Sequence, residues 1–183
     1  MKFIMTPRGS KMLRSELSRL KAMRPELANA IEIARGHGDL SENADYDAAK
    51  EKSGMVEARI REIEAKVALA EVIDPREIVL NDRVVFGATA NIVDIDTDEE
   101  RTLCIVGIDE ADADKGLISY ESPLGRALIG KEIGDIVKIK LPQGERTYEV
   151  LDVYIDYNDE EDDDKEEGDK EGDKENTSKE DNE

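Results

Sequence analysis

The sequence predicts a long antiparallel α-helical hairpin, then a small α+β domain, then an acidic tail. Three observations predict it. Residues 8–73 carry two apolar stripes at helical spacing. Residues 78–155 carry short β-type segments with one helical piece. The last 26 residues, Asn158 to Glu183, hold 15 acids and 4 lysines and no aliphatic or aromatic side chain. The divisions implied are an arm over 1–76, an α+β domain over 77–157 and a tail over 158–183.

In the first helix the stripe is Leu13, Leu17, Leu20, Met23, Leu27, Ile31 and Ala34. Pro25 falls within it, lacks a backbone donor, and predicts a local bend. In the second helix Val56, Ile60, Ile63, Val67 and Ala70 follow the four-three alternation of a coiled-coil seam. Neither helix has a second apolar face, so each needs a partner, and the other is the nearest. Pairing Leu13 with Ala70, Leu17 with Val67, Leu20 with Ile63 and Leu27 with Val56 places the hairpin midpoint near residues 41 and 42. Gly36 and Gly38 lie just before that point and suit a helix end. A helix rises 1.5 Å per residue, so the arm should be roughly 40 Å long. Asp74-Pro75 stops the second helix and marks the domain boundary.

The second domain shows strand patterning at 84–86, 89–95, 101–106, 117–120, 135–141 and 146–155. The last alternates, with Tyr148 and Val150 set against Glu149 and Asp152. Pro142 to Glu145 is a hairpin turn signal. Pro123 to Gly130 suits one short helix closed by glycine. A sheet with a helix against it is the expected layer structure. The tail cannot bury enough surface to offset its chain entropy and is expected to be disordered.

Composition limits the function. The formal charge of −20 argues against a free-standing nucleic-acid binder, whose affinity rests on basic side chains. It is distributed unevenly: residues 1–76 have 14 basic and 13 acidic side chains, and residues 77–157 have 8 and 18. A single cysteine, Cys104, excludes an internal disulfide and a cysteine-rich zinc site. No apolar run reaches the ~18 residues of a membrane span. Residues 1–5 lack the features of a secretory signal. A cytoplasmic protein without a membrane partner is the expectation.

The hairpin midpoint is acidic. Asp39, Glu42, Asp45 and Asp47 fall there, with Arg35, Lys50 and Lys52 just behind. Asp39 and Glu42 are three residues apart, close enough for one turn to bring their carboxylates together. Two carboxylates do not complete a Mg²⁺ site, but Mg²⁺ is often held by one or two of them together with outside ligands. The pair reads either as a half-site completed by another protein or as ordinary helix-start acids favoured by the dipole. Arg35, Lys50 and Lys52 read as RNA contacts or as solvent-facing ion pairs. Tyr46 could stack on a base or close the hairpin by packing. His37 has no second ligand nearby and reads as a turn residue. Asp109-Glu110-Ala111-Asp112 spells a helicase tetrapeptide, but no phosphate-binding loop accompanies it. Asp94 to Asp98 resembles the start of a calcium loop that lacks its glycine and its closing glutamate. Cys104 reads as inert core.

The run His37-Gly38-Asp39-Leu40-Ser41-Glu42-Asn43-Ala44-Asp45-Tyr46-Asp47-Ala48-Ala49-Lys50-Glu51 resembles the tip motif of the bacterial GreA/GreB transcript-cleavage factors. Met5 to Gly9, Leu13 and Glu16-Leu17 resemble the family's start, and Arg24-Pro25 and Ile33 to Arg35 resemble its first helix. Val84 to Thr89, Ile105 to Gly107, Asp109 to Asp112, Ser122-Pro123 and Arg126 to Lys131 resemble its C-terminal domain. The resemblance covers about residues 5–155, and Leu40 with Ala48-Ala49 is more like GreA than GreB.

The resemblance implies a coiled-coil arm and an FKBP-like C-terminal domain. It implies binding to RNA polymerase and insertion of the arm into the secondary channel. The consequence would be stimulated Mg²⁺-dependent hydrolysis of the nascent RNA 3′ end in backtracked complexes. Asp39 and Glu42 would be the catalytic and Mg²⁺-holding acids, the metal being shared with the polymerase and not held stably by the free protein. Glu121, Ser122 and Pro123 would form the polymerase-binding turn; the family often has Asp or Asn where Glu121 stands. Pro123 also suits the first position of a helix. On this reading the protein is not an enzyme by itself but completes the polymerase's own endonucleolytic activity. The other readings are a non-catalytic channel-binding inhibitor, a prolyl isomerase or chaperone, and a plain coiled-coil adaptor. The tip acids favour the first reading. The scarcity of aromatic residues weighs against a proline pocket.

Overall fold

Thr6 starts the arm by capping its first helix: its side chain accepts the Gly9 N–H at 3.2 Å. A computed structural model describes residues 2–36, 44–142 and 144–158. Within them, β1 (Phe3–Met5) leads into α1 (Pro7–Ala22), α2 (Arg24–Arg35) and α3 (Ala44–Ala68), and β2 (Ala70–Val72) follows. The first predicted helix is therefore two helices that meet at Met23. Pro25 sits in the first turn of α2, where its missing N–H is tolerated.

Leu13 and Ile63 fall in one buried cluster, and Leu27, Val56 and Ile60 in another; Leu17 and Leu20 pack against both. Ion pairs Lys21–Glu64 and Arg24–Glu57, at 2.7 Å each, lie within about a turn of the expected register. One pair departs from that register: Arg59 reaches Glu16 at 2.8 Å. That guanidinium holds the Glu16 carboxyl below the usual carboxylate range, against the opposing effect of burial.

The second helix ends five residues earlier than the sequence suggests. β2 pairs in parallel with β1, Phe3 opposite Ala70 and Met5 opposite Val72, and closes the arm at its base. Ala70, counted in the helical stripe, belongs to this strand. Asp74 then caps a 3₁₀ turn over Pro75–Glu77. Pro75 is fully buried against Gly87, whose φ is +81°.

The second domain is a five-stranded sheet of β3 (Thr89–Asp94), β4 (Glu100–Val106), β5 (Leu117–Ser119), β6 (Ile136–Leu141) and β7 (Gly144–Tyr154). Their order is β5-β4-β3-β7-β6, with only β4 and β5 parallel. Helix α4 (Pro123–Leu128) packs on it, and Leu128 joins the core formed by Val84, Ile92, Ile105, Ile139 and Val150. Residues 84–86 form no ladder of their own; Val84 exchanges two backbone bonds of 2.8 Å with Gly130 and Lys131. In β7 the inward positions change parity, from Tyr148 and Val150 to Val153. The β3–β7 register shifts between Asn91 and Ile92, so Leu151 is an extra residue, left more than one-third exposed. Asp94 is buried and accepts the Asp96 N–H at 3.0 Å and the Arg146 guanidinium at 2.9 Å, which is a structural use of the calcium-like run. Burial pushes the half-buried Cys104 thiol up, in keeping with an inert role.

The domains are joined by specific contacts. Glu110 lies in a 3₁₀ turn (Ile108–Glu110) and is buried. Its carboxyl accepts the Thr6 N–H at 2.9 Å and the Thr6 hydroxyl. The neighbouring Asp109 pairs with Lys66 of α3 at 2.6 Å. The Tyr157 hydroxyl accepts the Arg8 N–H at 2.8 Å. Of the expected tail, only Asn158 lies within the described residues.

Candidate functional site

Residues of interest occur at two places, one at each end of the arm. At the far end, α2 closes at Arg35 with Gly36 as its cap, and α3 opens at Ala44 with Asp45 and Asp47 in its first turn. Acids there oppose the partial positive charge of the helix start and favour it. Segment 37–43 connects these two ends. It holds Asp39 and Glu42, and His37, and lies outside the described residues.

Behind it on α3, Tyr46 is half-buried and Lys50 is exposed one turn on. The Lys50 ammonium sits 5.5 Å from the centre of the Tyr46 ring, a cation–π contact between positions four apart on a helix. Lys52 is exposed but two residues further round the helix, and Arg35 is exposed on the other leg. The structure thus brings Tyr46 and Lys50 together.

At the other end, Tyr120 to Pro123 link β5 to α4. Glu121 and Pro123 are exposed. Pro123 takes the first helical turn, as its fixed φ allows, and the Ser122 hydroxyl caps the helix by accepting the Gly125 N–H at 3.0 Å. The Ser119 hydroxyl accepts the Glu121 N–H at 3.1 Å. Gly125 is needed here, because a Cβ would lie 2.2 Å from the Ser119 carbonyl oxygen. Tyr120 meets Phe86 edge-on at 5.9 Å. Burial pushes the Tyr120 hydroxyl up, the Glu121 carboxylate adds to the effect, and a backbone hydrogen bond with Ile4 of β1 works against it. The turn therefore rests on the base of the arm.

Among the described residues, no group of three or more His, Cys, Asp or Glu side chains could hold a metal ion. No helix among them is long and apolar enough to cross a membrane. Sequence reasoning missed Thr6, Gly9, Glu110 and Tyr157 at the junction. The available signals are Met5 to Gly9 and Asp109 to Asp112, which enter the family resemblance without any structural role being read from them.

The arm, whose second leg is the 25-residue α3, spans roughly 37 Å. It carries acids towards one end and is fixed at the other to a sheet domain with a presented turn. Fold and site define a two-domain protein, an α-helical hairpin arm joined at its base to a small β-sheet domain.

The chain belongs to the GreA/GreB family of transcription elongation factors. Residues 3–72 match the family model "Transcription elongation factor, N-terminal", and residues 79–155 match "Transcription elongation factor, GreA/GreB, C-term". Transcription elongation factor GreA of Ralstonia nicotianae is 56% identical over 146 residues, 79% of this chain and 92% of that one. The GreA of Alkalilimnicola ehrlichii is 53% identical over 150 residues, covering 81% and 95%. The crystal structure of GreA factor homolog 1 of Thermus thermophilus aligns over 84% of this chain and 99% of that one, at 23% identity and a TM-score of 0.38.

Proposed function

We propose that this protein is a transcription elongation factor that docks on bacterial RNA polymerase through its second domain and inserts its arm into the secondary channel. There it stimulates hydrolysis of the nascent RNA 3′ end in backtracked complexes. One observation supports the reading: α2 closes at Arg35 and α3 opens at Ala44, with Ala44 to Glu51 of the motif in its first turns, at the end of the arm opposite the β1–β2 ladder. A carboxylate pair at that position can enter a site too narrow for a whole domain.

The donor chemistry fits Mg²⁺, which prefers hard oxygen ligands and accepts an incomplete protein shell. Asp39 and Glu42 would hold it together with groups of the polymerase. When bound there, a shared Mg²⁺ would supply charge stabilisation for phosphodiester hydrolysis. The role of this chain is to deliver and orient two carboxylates, so proximity replaces intrinsic affinity. Tyr46 and Lys50 present a ring and a cation beside the tip, suited to a base and a phosphate of extruded RNA, and Arg35 and Lys52 add positive charge behind it. Glu121, Ser122 and Pro123 form the polymerase-facing turn of a domain read as FKBP-like. The protein is not an enzyme by itself and works in the cytoplasm, where the polymerase is.

The test is Asp39→Ala with Glu42→Ala in a halted polymerase complex carrying 3′-labelled RNA. Wild-type protein should release a short labelled fragment. The double variant should release none while binding polymerase within about twofold of wild type. Cleavage by the double variant at the wild-type rate would refute the mechanism.

A further inference from the structure

We infer that Asp109 and Glu110 are positioning residues: a two-point clamp that sets the direction of the arm relative to the polymerase-facing turn. The inference rests on the functional reading above and extends it to residues far from the tip.

The clamp holds both legs of the arm. Glu110 takes the N-terminus of α1, accepting the Thr6 N–H at 2.9 Å and the Thr6 hydroxyl. Thr6 is fully buried and is itself the cap of α1. Asp109 takes the last turns of α3 through Lys66, at 2.6 Å, with both side chains less than one-fifth exposed. On its own side Glu110 also accepts the Gly107 N–H at 3.3 Å, so its carboxyl is fixed to both domains. The approach is close. A Cβ on Gly9 would lie 2.3 Å from the Glu110 carboxyl carbon, so the first turn of α1 rests directly on this group. From the 3₁₀ turn the chain passes to β5 and Tyr120, which contacts Ile4, and then to Glu121 and Pro123. The elements that grip the arm are thus continuous with the turn that docks.

Lever arithmetic shows why this matters. Over an arm of roughly 37 Å, a tilt of about 2° at the base moves the far end by about 1.3 Å. A displacement of about 1 Å in a reacting geometry can lower a rate about 100-fold. Loss of the clamp should therefore leave docking intact and reduce cleavage.

The experiment uses the full chain carrying Cys104→Ala, with spin labels on Glu51→Cys in the arm and Lys138→Cys in the sheet. Inter-label distances are measured on the free protein. Polymerase affinity and cleavage at saturating factor are measured alongside. With the clamp intact the distance distribution should be narrow. Glu110→Ala should broaden it and lower cleavage at least tenfold, with polymerase affinity within about twofold. Glu110→Gln keeps a carbonyl oxygen for the Thr6 and Gly107 N–H groups and should restore both readouts. If Glu110→Ala does not fold, Asp109→Ala removes the Lys66 contact, leaves the Thr6 cap of α1 in place, and should broaden the distribution in the same direction. An unchanged distribution, or a broadened one with wild-type cleavage, would overturn the clamp. Failure of the intact protein to release any fragment would overturn the cleavage reading instead, and the distances would still decide whether the clamp exists.

Discussion

Ile63→Ala tests whether the arm is held together as described. Ile63 is fully buried beside Met5 and Leu13, with Phe3, Leu17, Leu20, Val67 and Ala70 packed around the same cluster. The substitution removes three carbons, about 2.4 kcal/mol at ~0.8 kcal/mol per buried methylene. The helices cannot simply close over the gap, because the β1–β2 pairing fixes their ends at that level. A residual cavity should raise the cost to about 3–4 kcal/mol, within the range for large aliphatic-to-alanine changes. Against a total stability of about 5–15 kcal/mol that is a large fraction. Urea unfolding followed by far-ultraviolet circular dichroism gives the difference, and hydrogen exchange shows which domain has lost protection. The amides of α1 and α3 should exchange faster while those of β3 and β7 change little. Val79→Ala, at a residue 82% exposed, is the control and should cost under about 0.5 kcal/mol. A loss below about 1 kcal/mol at Ile63 would refute packing through this position.

Other expectations concern the sheet domain and the turn. Gly87→Ala places a Cβ 2.7 Å from the Pro75 ring at a φ of +81°, and should destabilise by about 1–3 kcal/mol in thermal unfolding. For Asp94, burial opposes the charged form, but the Asp96 N–H and the Arg146 guanidinium outweigh it and hold the carboxyl below its ordinary range. A depressed folded value stabilises above the unfolded value of about 3.9 and is lost as pH falls through the folded one. Melting curves of wild type and Asp94→Asn should therefore differ at neutral pH and converge as the pH falls below the ordinary carboxylate range; a constant difference would count against this. Pro123→Ala should weaken polymerase binding and cleavage together, and if titrations show neither weakened, the docking turn lies elsewhere.

The arm was readable because its physics is local and repetitive. One stripe per helix demands a partner, and the spacing gives a register; Leu27, Val56 and Ile60 do share a cluster. The base was not readable. β1 and β2 have three residues each, too short for alternation to appear, and Ala70 fits a helical stripe equally well. In the sheet, most strands announced themselves by branched and aromatic residues. The bulge at Leu151 did not, since an extra residue leaves composition unchanged and shows only as an altered partner. Glu110 was the least legible. Its meaning depends on Thr6, 104 positions away, and no local pattern marks a glutamate as buried. Asp39 and Glu42 are singled out through motif resemblance, because an acidic helix start alone has an ordinary explanation, and both lie outside the described residues.

The short parallel ladder between residues 3–5 and 70–72 has a consequence for how the arm gives way. Helix ends fray where nothing ties them. Here the start of α1 and the end of α3 are tied by three residue pairs, so neither terminus of the hairpin can unwind without first breaking the ladder. The two legs are thereby held at a fixed spacing where they leave the sheet domain.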